Sequence, residues 1–343
     1  MTEPGQRPLG DRRRVPGTPP SRGASVLVAD PPGRQGPGPM QGALVETLDL
    51  VLARRASGAL PGERRAAGRG TGTELAQIRP YQVGDDVRRI DAAASARTGI
   101  PHVRDHVPER TLTTWILVDV SASMAFGTAE RLKSDVADGV ALVIGRLAVR
   151  RAGRVGLLTC GAPTVRQLPP RSGRAQLIAL RRALSAGVAP DGFVPEGEAL
   201  AAGMRRIGRL ARGPGLIVVI SDFRGESGGD VAAGARGERA PGTRPEWARA
   251  LGSLSLRHDV LAVEVVDPRE AELPDAGHLV LVDPETGKRV EADSSSAELR
   301  RRFAAAELER RDVLKSHLRR AHARHVEIAT DDDWLRALGR SLR

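Results

Sequence analysis

Gly215-Leu-Ile-Val-Val-Ile-Ser221 carries no polar side chain before its last residue. A run that short and that aliphatic has no solvent face, so it reads as a strand covered on both sides. Three other segments share the character: TTWILVDV from Thr113, Arg154 to Thr159, and Asp259 to Val266. Between and after them the spacing predicts helices over Arg131–Arg151, Gly173–Ala186, Gly197–Ala211 and Trp247–Leu256. Strands alternating with helices over some 230 residues specify an α/β fold, a three-layer, open, mostly parallel sheet. Ligands of such sheets bind at the carboxyl ends of the strands, which directs attention to the residues after each strand.

The remaining pattern completes three regions. Residues 1–40 hold nine Pro and seven Gly with no apolar periodicity, and read as a disordered tail. Residues 41–112 form an N-terminal extension. It has a short amphipathic helix over Leu44–Ala56, then a small β-rich part with a turn at Val83–Asp86 and an extended segment at His102–Arg104. Residues 113–343 are the α/β domain, interrupted at 224–245 by a low-complexity loop. Thr164–Leu168 reads as an antiparallel edge strand. A hairpin turns at Pro284–Gly287, Ser295-x-x-Glu298 reads as a capping box opening a helix to about Ala323, and strand His325–Ala329 and helix Asp332–Arg340 follow.

Composition excludes several classes. The chain has 343 residues and one cysteine, so Cys160 forms no disulfide within it and no Cys-based zinc site; in its aliphatic segment it reads as a buried thiol. The net charge of +11 is spread: +3 over residues 1–40 (6 minus 3), +2 over 41–110 (11 minus 9) and +6 over the rest (36 minus 30). Aromatics are 2% of the chain, so neither a basic patch nor a stacking surface for nucleic acid is visible. No segment reaches the ~18–20 apolar residues of a membrane span, and the N-terminus has no apolar signal core; a soluble cytoplasmic protein is expected. Phosphate-binding loops, dinucleotide fingerprints and the Gly-x-Ser-x-Gly of serine hydrolases are absent from the sequence. His102 and His106 are bracketed by Pro101 and Pro108, against the helix that a metal pair at that spacing needs. The aspartates Asp85, Asp86 and Asp91 among Arg79, Arg88, Arg89 and Arg97 read as a surface ion-pair lattice, and Asp331–Asp333 as charge at a helix N-terminus.

Two strand ends remain. Asp119-Val-Ser121-Ala-Ser123 follows one strand and Asp222 follows Gly215–Ser221. At one sheet edge they bring two carboxylates and two hydroxyls together, hard oxygen donors that suit Mg²⁺ or Mn²⁺. The plainer alternative is that the serines cap the next helix while Asp119 solvates a strand end.

Asp119-x-Ser121-x-Ser123 after a buried strand resembles the metal-ion-dependent adhesion site of von Willebrand factor A domains. The resemblance extends to Arg79-Pro-Tyr-Gln-Val-Gly-Asp-Asp-Val-Arg-Arg-Ile-Asp91, Ser95-Ala-Arg97, Asp267-Pro-Arg-Glu-Ala-Glu-Leu-Pro274 and Asp283-Pro-Glu-Thr-Gly287. Together these motifs are similar to the bacterial family named domain of unknown function 58, over roughly residues 41–343. The resemblance implies a von Willebrand A-like (Rossmann-like) fold and a metal held by Asp119, Ser121, Ser123 and Asp222. It also implies a protein partner that offers a carboxylate, and an association with MoxR-type AAA+ ATPases. Two positions depart from the pattern. Gly197-Glu198-Ala199-Leu200 stands where a Gly-Thr-Asp-Leu run is usual, making Glu198 a fifth candidate ligand. Ala92 stands where the family has a Trp, which implies the loss of a packing anchor. The expected function is a non-enzymatic, metal-dependent protein-interaction module. The alternatives are a metal-assisted phosphohydrolase on the same aspartates, for which no neighbouring base is evident, and a scaffold with a non-functional site.

Overall fold

The computed structural model describes residues 74–107, 112–127, 131–195, 197–224, 244–331 and 333–341. The tail at 1–40, the helix expected at Leu44–Ala56 and most of the loop expected at 224–245 lie outside the described residues.

Six strands form the central sheet: β3 (Thr113–Asp119), β4 (Arg154–Cys160), β5 (Gln167–Arg171), β6 (Leu216–Ser221), β7 (Asp259–Val266) and β10 (Arg324–Ala329). Their spatial order is β10-β7-β6-β3-β4-β5. All neighbours are parallel except β4 and β5, where β5 supplies the expected antiparallel edge, three residues later than its sequence pattern suggests. The fold is mixed α/β around this mostly parallel sheet.

The period-two alternation of the strands sorts their side chains onto two cores. Ile116, Val118, Val218, Ile220, Leu261 and Val263 face one way. They pack with α2 (Lys133–Arg150), α3 (Arg174–Leu184) and α7 (Trp334–Ser341). Trp115, Leu117, Ile217, Val219, Val260 and Ala262 face the other way. There they meet α4 (Ala199–Leu210), α5 (Glu246–Ser255) and α6 (Ala297–Arg320). All six residues of β6 are buried, as its lack of a polar face requires.

Two antiparallel pairs stand outside the sheet: β1 (Glu74–Pro80) with β2 (His102–Val107) ahead of it in sequence, and β8 (His278–Val282) with β9 (Arg289–Asp293) between β7 and β10. Between β1 and β2 lies α1 (Ala92–Thr98). The aspartates here do more than form a lattice. Asp85 makes a bidentate ion pair with Arg79 at 2.7 and 2.8 Å, and Asp86 accepts the Arg88 N–H. Asp91 caps α1 through the Ala94 N–H and pairs with Arg104 at 2.7 Å. Ala92 is exposed in the first turn of α1, so that position is not a packing anchor here. His102 stands on a strand, without the helical spacing a metal pair would need. The cap of α6 is Ser296, which accepts the Leu299 N–H, whereas Ser295 bonds to Asp293; the cap lies one residue later than expected, and Leu299 at the third helical position cannot complete the capping box expected from Ser295 and Glu298. Asp333 accepts the Arg336 N–H at the head of α7, the helix-start role expected of that aspartate run.

Candidate metal centre

After β3 the chain crosses through α2, on the first core face, to β4. After β6 it passes through α5, on the opposite face, to β7. Adjacent parallel strands whose connections leave on opposite faces open a crevice between their carboxyl ends. Asp119 is the last residue of β3, and Asp222 follows the last residue of β6. The crevice therefore lies between these two carboxylates.

Hydrogen bonds fix both loops. Asp119 Oδ1 accepts the Ser121 N–H at 2.9 Å, and Asp119 Oδ2 accepts the Ser221 hydroxyl at 2.6 Å. Ser221 Oγ accepts in turn from the Phe223 N–H, stapling the β6 turn to the β3 turn. Phe223 holds φ of 52°, a left-handed conformation uncommon outside glycine, and its buried ring lies 5.2 Å from that of Trp247. The hydroxyls of Ser121 and Ser123 are 3.1 Å apart and both residues are buried. Two cis ligands on Mg²⁺, each at 2.0–2.1 Å, would lie about 2.8–3.0 Å apart, so the hydrogen-bonded serine pair is within a few tenths of an ångström of one octahedral edge.

The two carboxylates differ in charge balance. Burial pushes the Asp119 carboxyl above its ordinary range and the neighbouring Asp222 charge pushes it further; its hydrogen-bond donors are neutral. Burial acts the same way on Asp222, but the Lys133 ammonium outweighs it and holds Asp222 below the carboxylate range. Lys133 opens α2 with its side chain wholly buried. Its Nζ lies 2.6 Å from Asp222 Oδ2 and 2.6 Å from Glu270 Oε1; burial lowers its pKa, and the two carboxylates raise it by more. From Glu270 the ionic chain continues to Arg224 at 3.4 Å, Glu307 at 2.7 Å and Arg310 at 2.8 Å. Glu264 follows at 3.7 Å, and its other carboxylate oxygen is in hydrogen-bond contact with His325 Nε2 at 2.9 Å.

Thus Asp119, Ser121, Ser123 and Asp222 are brought to one place. Glu198 occupies the cap position of α4, and its carboxylate is partly buried. That helix ends just before β6 begins at the opposite edge of the sheet, so Glu198 sits at the same edge as the four. The oxygen set fits a hard divalent cation: two carboxylates, a hydroxyl pair at ligand spacing, and an Asp119 charge met only by neutral donors. Among the described residues no group of three or more His, Cys, Asp or Glu is arranged to hold an ion, so such a centre depends on the serines.

Lys133, Glu270 and Glu285 are not among the ligands expected from the sequence, although Glu270 and Glu285 fall within the Asp267–Pro274 and Asp283–Gly287 motifs. Glu285, in the turn of the β8–β9 hairpin, is pushed up to about 7 by burial first, then by the charges of Asp222 and Asp119.

The family described as protein of unknown function DUF58 matches residues 77–313. The chain belongs to this family. An uncharacterized protein of Mycobacterium tuberculosis (strain H37Rv) is 38% identical over 299 residues, covering 87% of each chain. An uncharacterized protein of Mycobacterium avium is 36% identical over 170 residues, 49% of this chain and 88% of the relative. Among solved structures, the conserved hypothetical protein BatB from Bacteroides thetaiotaomicron aligns at a TM-score of 0.38 with 17% identity, over 67% of this DUF58 chain and 97% of BatB. No helix among the described residues is long and apolar enough to cross a membrane.

Proposed function

We propose that this DUF58 protein is a divalent-metal-dependent interaction module. Asp119, Ser121, Ser123 and Asp222 would hold Mg²⁺ or Mn²⁺, with Glu198, at the same edge of the sheet, as a further candidate oxygen donor. The observation that carries the reading is the imbalance inside the crevice. Asp222 has a buried ammonium beside it, whereas Asp119 is buried among neutral donors next to a second negative charge. A divalent cation resolves that imbalance and uses the preset serine spacing. When bound, it supplies a Lewis-acidic centre for a partner's Asp or Glu side chain.

The protein groups divide the remaining work. Ser221 orients Asp119, Arg224 N–H orients Asp222, and Lys133 compensates Asp222 so that two adjacent carboxylates do not over-neutralise the cation. Interaction is favoured over turnover because the lysine closest to the site is already engaged by two carboxylates and is held protonated, a poor general base. By family resemblance the partner is a MoxR-type AAA+ ATPase or a client of one.

The test is capture of partners from native lysate by tagged protein, in Mg²⁺ and in EDTA, with Asp119→Ala alongside. A partner retained by wild type in Mg²⁺ only, and by the variant in neither buffer, is the expected result. Equal capture by all forms in both buffers removes the metal from the mechanism.

A further inference from the structure

Counted over whole regions the chain's charge is spread, but residues 139–190 hold nine Arg and neither Asp nor Glu, in a chain with 42 acidic residues. The fold gathers part of that stretch into one surface. β5 ends at Arg171 and α3 opens at Arg174, where the edge strand turns into the helix. On α3 itself, Arg174, Ile178, Arg181 and Arg182 fall within about 100° of one another around the axis. That face is bare. The four arginines are exposed, Ile178 between them is 58% exposed, and none of the four pairs with a carboxylate among the described residues.

The opposite face holds the helix rigid. Gln176, Leu180 and Leu184 are buried there, and α3 lies so close on α2 that a Cβ on Gly145 would come within 2.7 Å of Leu180 Cδ2. Gln176 Nε2 donates to the carbonyls of Val155 at 2.8 Å and Pro169 at 3.0 Å, pinning the first turn to β4 and β5. The Arg166 guanidinium donates to the carbonyls of Ala183 at 2.7 Å and Gly187 at 2.6 Å, pinning the last turn. The outward arginines make no such bonds. They repel one another, and the isoleucine among them buries little, so the face has a cost and no return within the chain.

We infer that this face of α3, with Arg171 at its head, docks an acidic protein segment that carries an apolar side chain flanked by Asp or Glu. Charge complementarity sets the sign of the partner, and guanidinium forks take carboxylates bidentately. The apolar centre sets its class. Ile178 gives an aliphatic anchor a place to be buried but offers a phosphate backbone nothing, and residues 139–190 contain no aromatic side chain on which a base could stack. A lipid surface needs a broad apolar face, whereas that of α3 is turned to α2 and the sheet. The surface needs no cation, so it stands or falls apart from the metal reading.

The experiment is fluorescence anisotropy of a labelled peptide of repeating Glu-Leu-Glu-Glu with the full chain, in EDTA, at low and at physiological salt. Wild type is expected to bind the peptide, and more weakly as salt rises. Arg181→Glu combined with Arg182→Glu should weaken it roughly tenfold or more, since each reversal turns an attraction into a repulsion. Ile178→Ser keeps every charge and should weaken it about threefold or more at either salt. Arg206→Glu combined with Arg209→Glu makes the same change in net charge on the exposed side of α4, across the sheet, and should stay within about twofold of wild type. No binding by wild type, or equal losses in the α3 and α4 double variants, overturns the docking surface. An Ile178→Ser variant that binds like wild type overturns the apolar anchor. An oligothymidine or a phosphatidylserine vesicle that displaces the peptide and depends on Arg181 and Arg182 overturns the protein partner and gives the face to that polyanion.

Discussion

Lys133 Nζ lies 2.6 Å from Asp222 Oδ2, and both side chains are out of contact with water. The pair joins the start of α2 to the end of β6 across 89 residues of sequence, beside the crevice between β3 and β6. Removing one member of a buried pair leaves the other charge without compensation, which costs about 3–5 kcal/mol. Lys133→Met is therefore expected to lower the thermal midpoint by at least about 6 °C, from ~2–4 °C per kcal/mol. Millimolar Mg²⁺ should restore part of that loss, and by more than it stabilises wild type, since the cation replaces the missing charge. Differential scanning fluorimetry with and without Mg²⁺ checks both, and an unchanged midpoint would remove the pair from the stability of the site.

Asp119 behaves in the opposite sense. Its folded pKa lies above its unfolded one, so stability falls as pH rises from about 3.8 through the folded value, and the cost is complete above that. In EDTA at neutral pH, Asp119→Asn is expected to raise the thermal midpoint by about 2–4 °C, on the order of 1 kcal/mol. In Mg²⁺ the order should invert, because the variant has lost a ligand. A variant that is less stable than wild type in EDTA would show that the carboxylate serves the fold.

The contrast between these two residues marks what was legible in the sequence. Asp119 and Asp222 could be placed because each follows a run of aliphatic residues that can only be a strand with two covered faces, and parallel strands share a carboxyl edge. Lys133 could not be placed that way. It opens an amphipathic helix, where a lysine reads as solvated, and its burial comes from the distant Asp222 and Glu270. One signal was present: the chain has three lysines against 50 arginines, and a compact ammonium suits a buried point contact with two carboxylates better than a guanidinium fork. Glu285 lies in the Asp283–Gly287 motif, but its place near Asp119 and Asp222 depends on where the hairpin docks, which no local pattern encodes. The cap of α6 slipped from Ser295 to Ser296 because both serines precede the helix, and only its backbone decides which hydroxyl reaches the third N–H.

Glu285 gives the site a pH signature. Its folded pKa of about 7 exceeds its ordinary 4.5, so the folded state keeps a proton that the unfolded chain has lost. Stability is unaffected below about pH 4.5, declines as pH rises to about 7, and is then flat. For a half-buried group screened by solvent the decline is on the order of 1 kcal/mol. Urea unfolding in EDTA at pH 5 and pH 8 should show wild type losing that much more than Glu285→Gln. In Mg²⁺ the difference should shrink, since a cation at Asp119 and Asp222 offsets the charges that oppose the ionisation of Glu285. Parallel losses in the two proteins would separate Glu285 from the acidic pair.

Gly161 tests the geometry of the metal loop without altering a charge. It follows β4 with φ of +88°, and a Cβ there would lie 2.8 Å from Ser121 N, 2.9 Å from Asp119 Oδ1 and 2.9 Å from Ser121 Cβ. Two of those atoms belong to the Ser121 backbone and its first side-chain carbon, so relief requires the loop itself to move. Gly161→Ala is expected to displace Asp119 and Ser121 and weaken Mn²⁺ at least tenfold, comparable to losing a supporting residue. Gly173→Ala supplies the control. It has nearly the same φ, +86°, with nothing within 4 Å of its Cβ, so it carries the backbone strain of about 1–3 kcal/mol without the collision. Both variants should lose similar stability in urea, while only Gly161→Ala loses Mn²⁺ in calorimetry. If the two bind Mn²⁺ equally well, the Asp119–Ser121 turn is not where the cation is held.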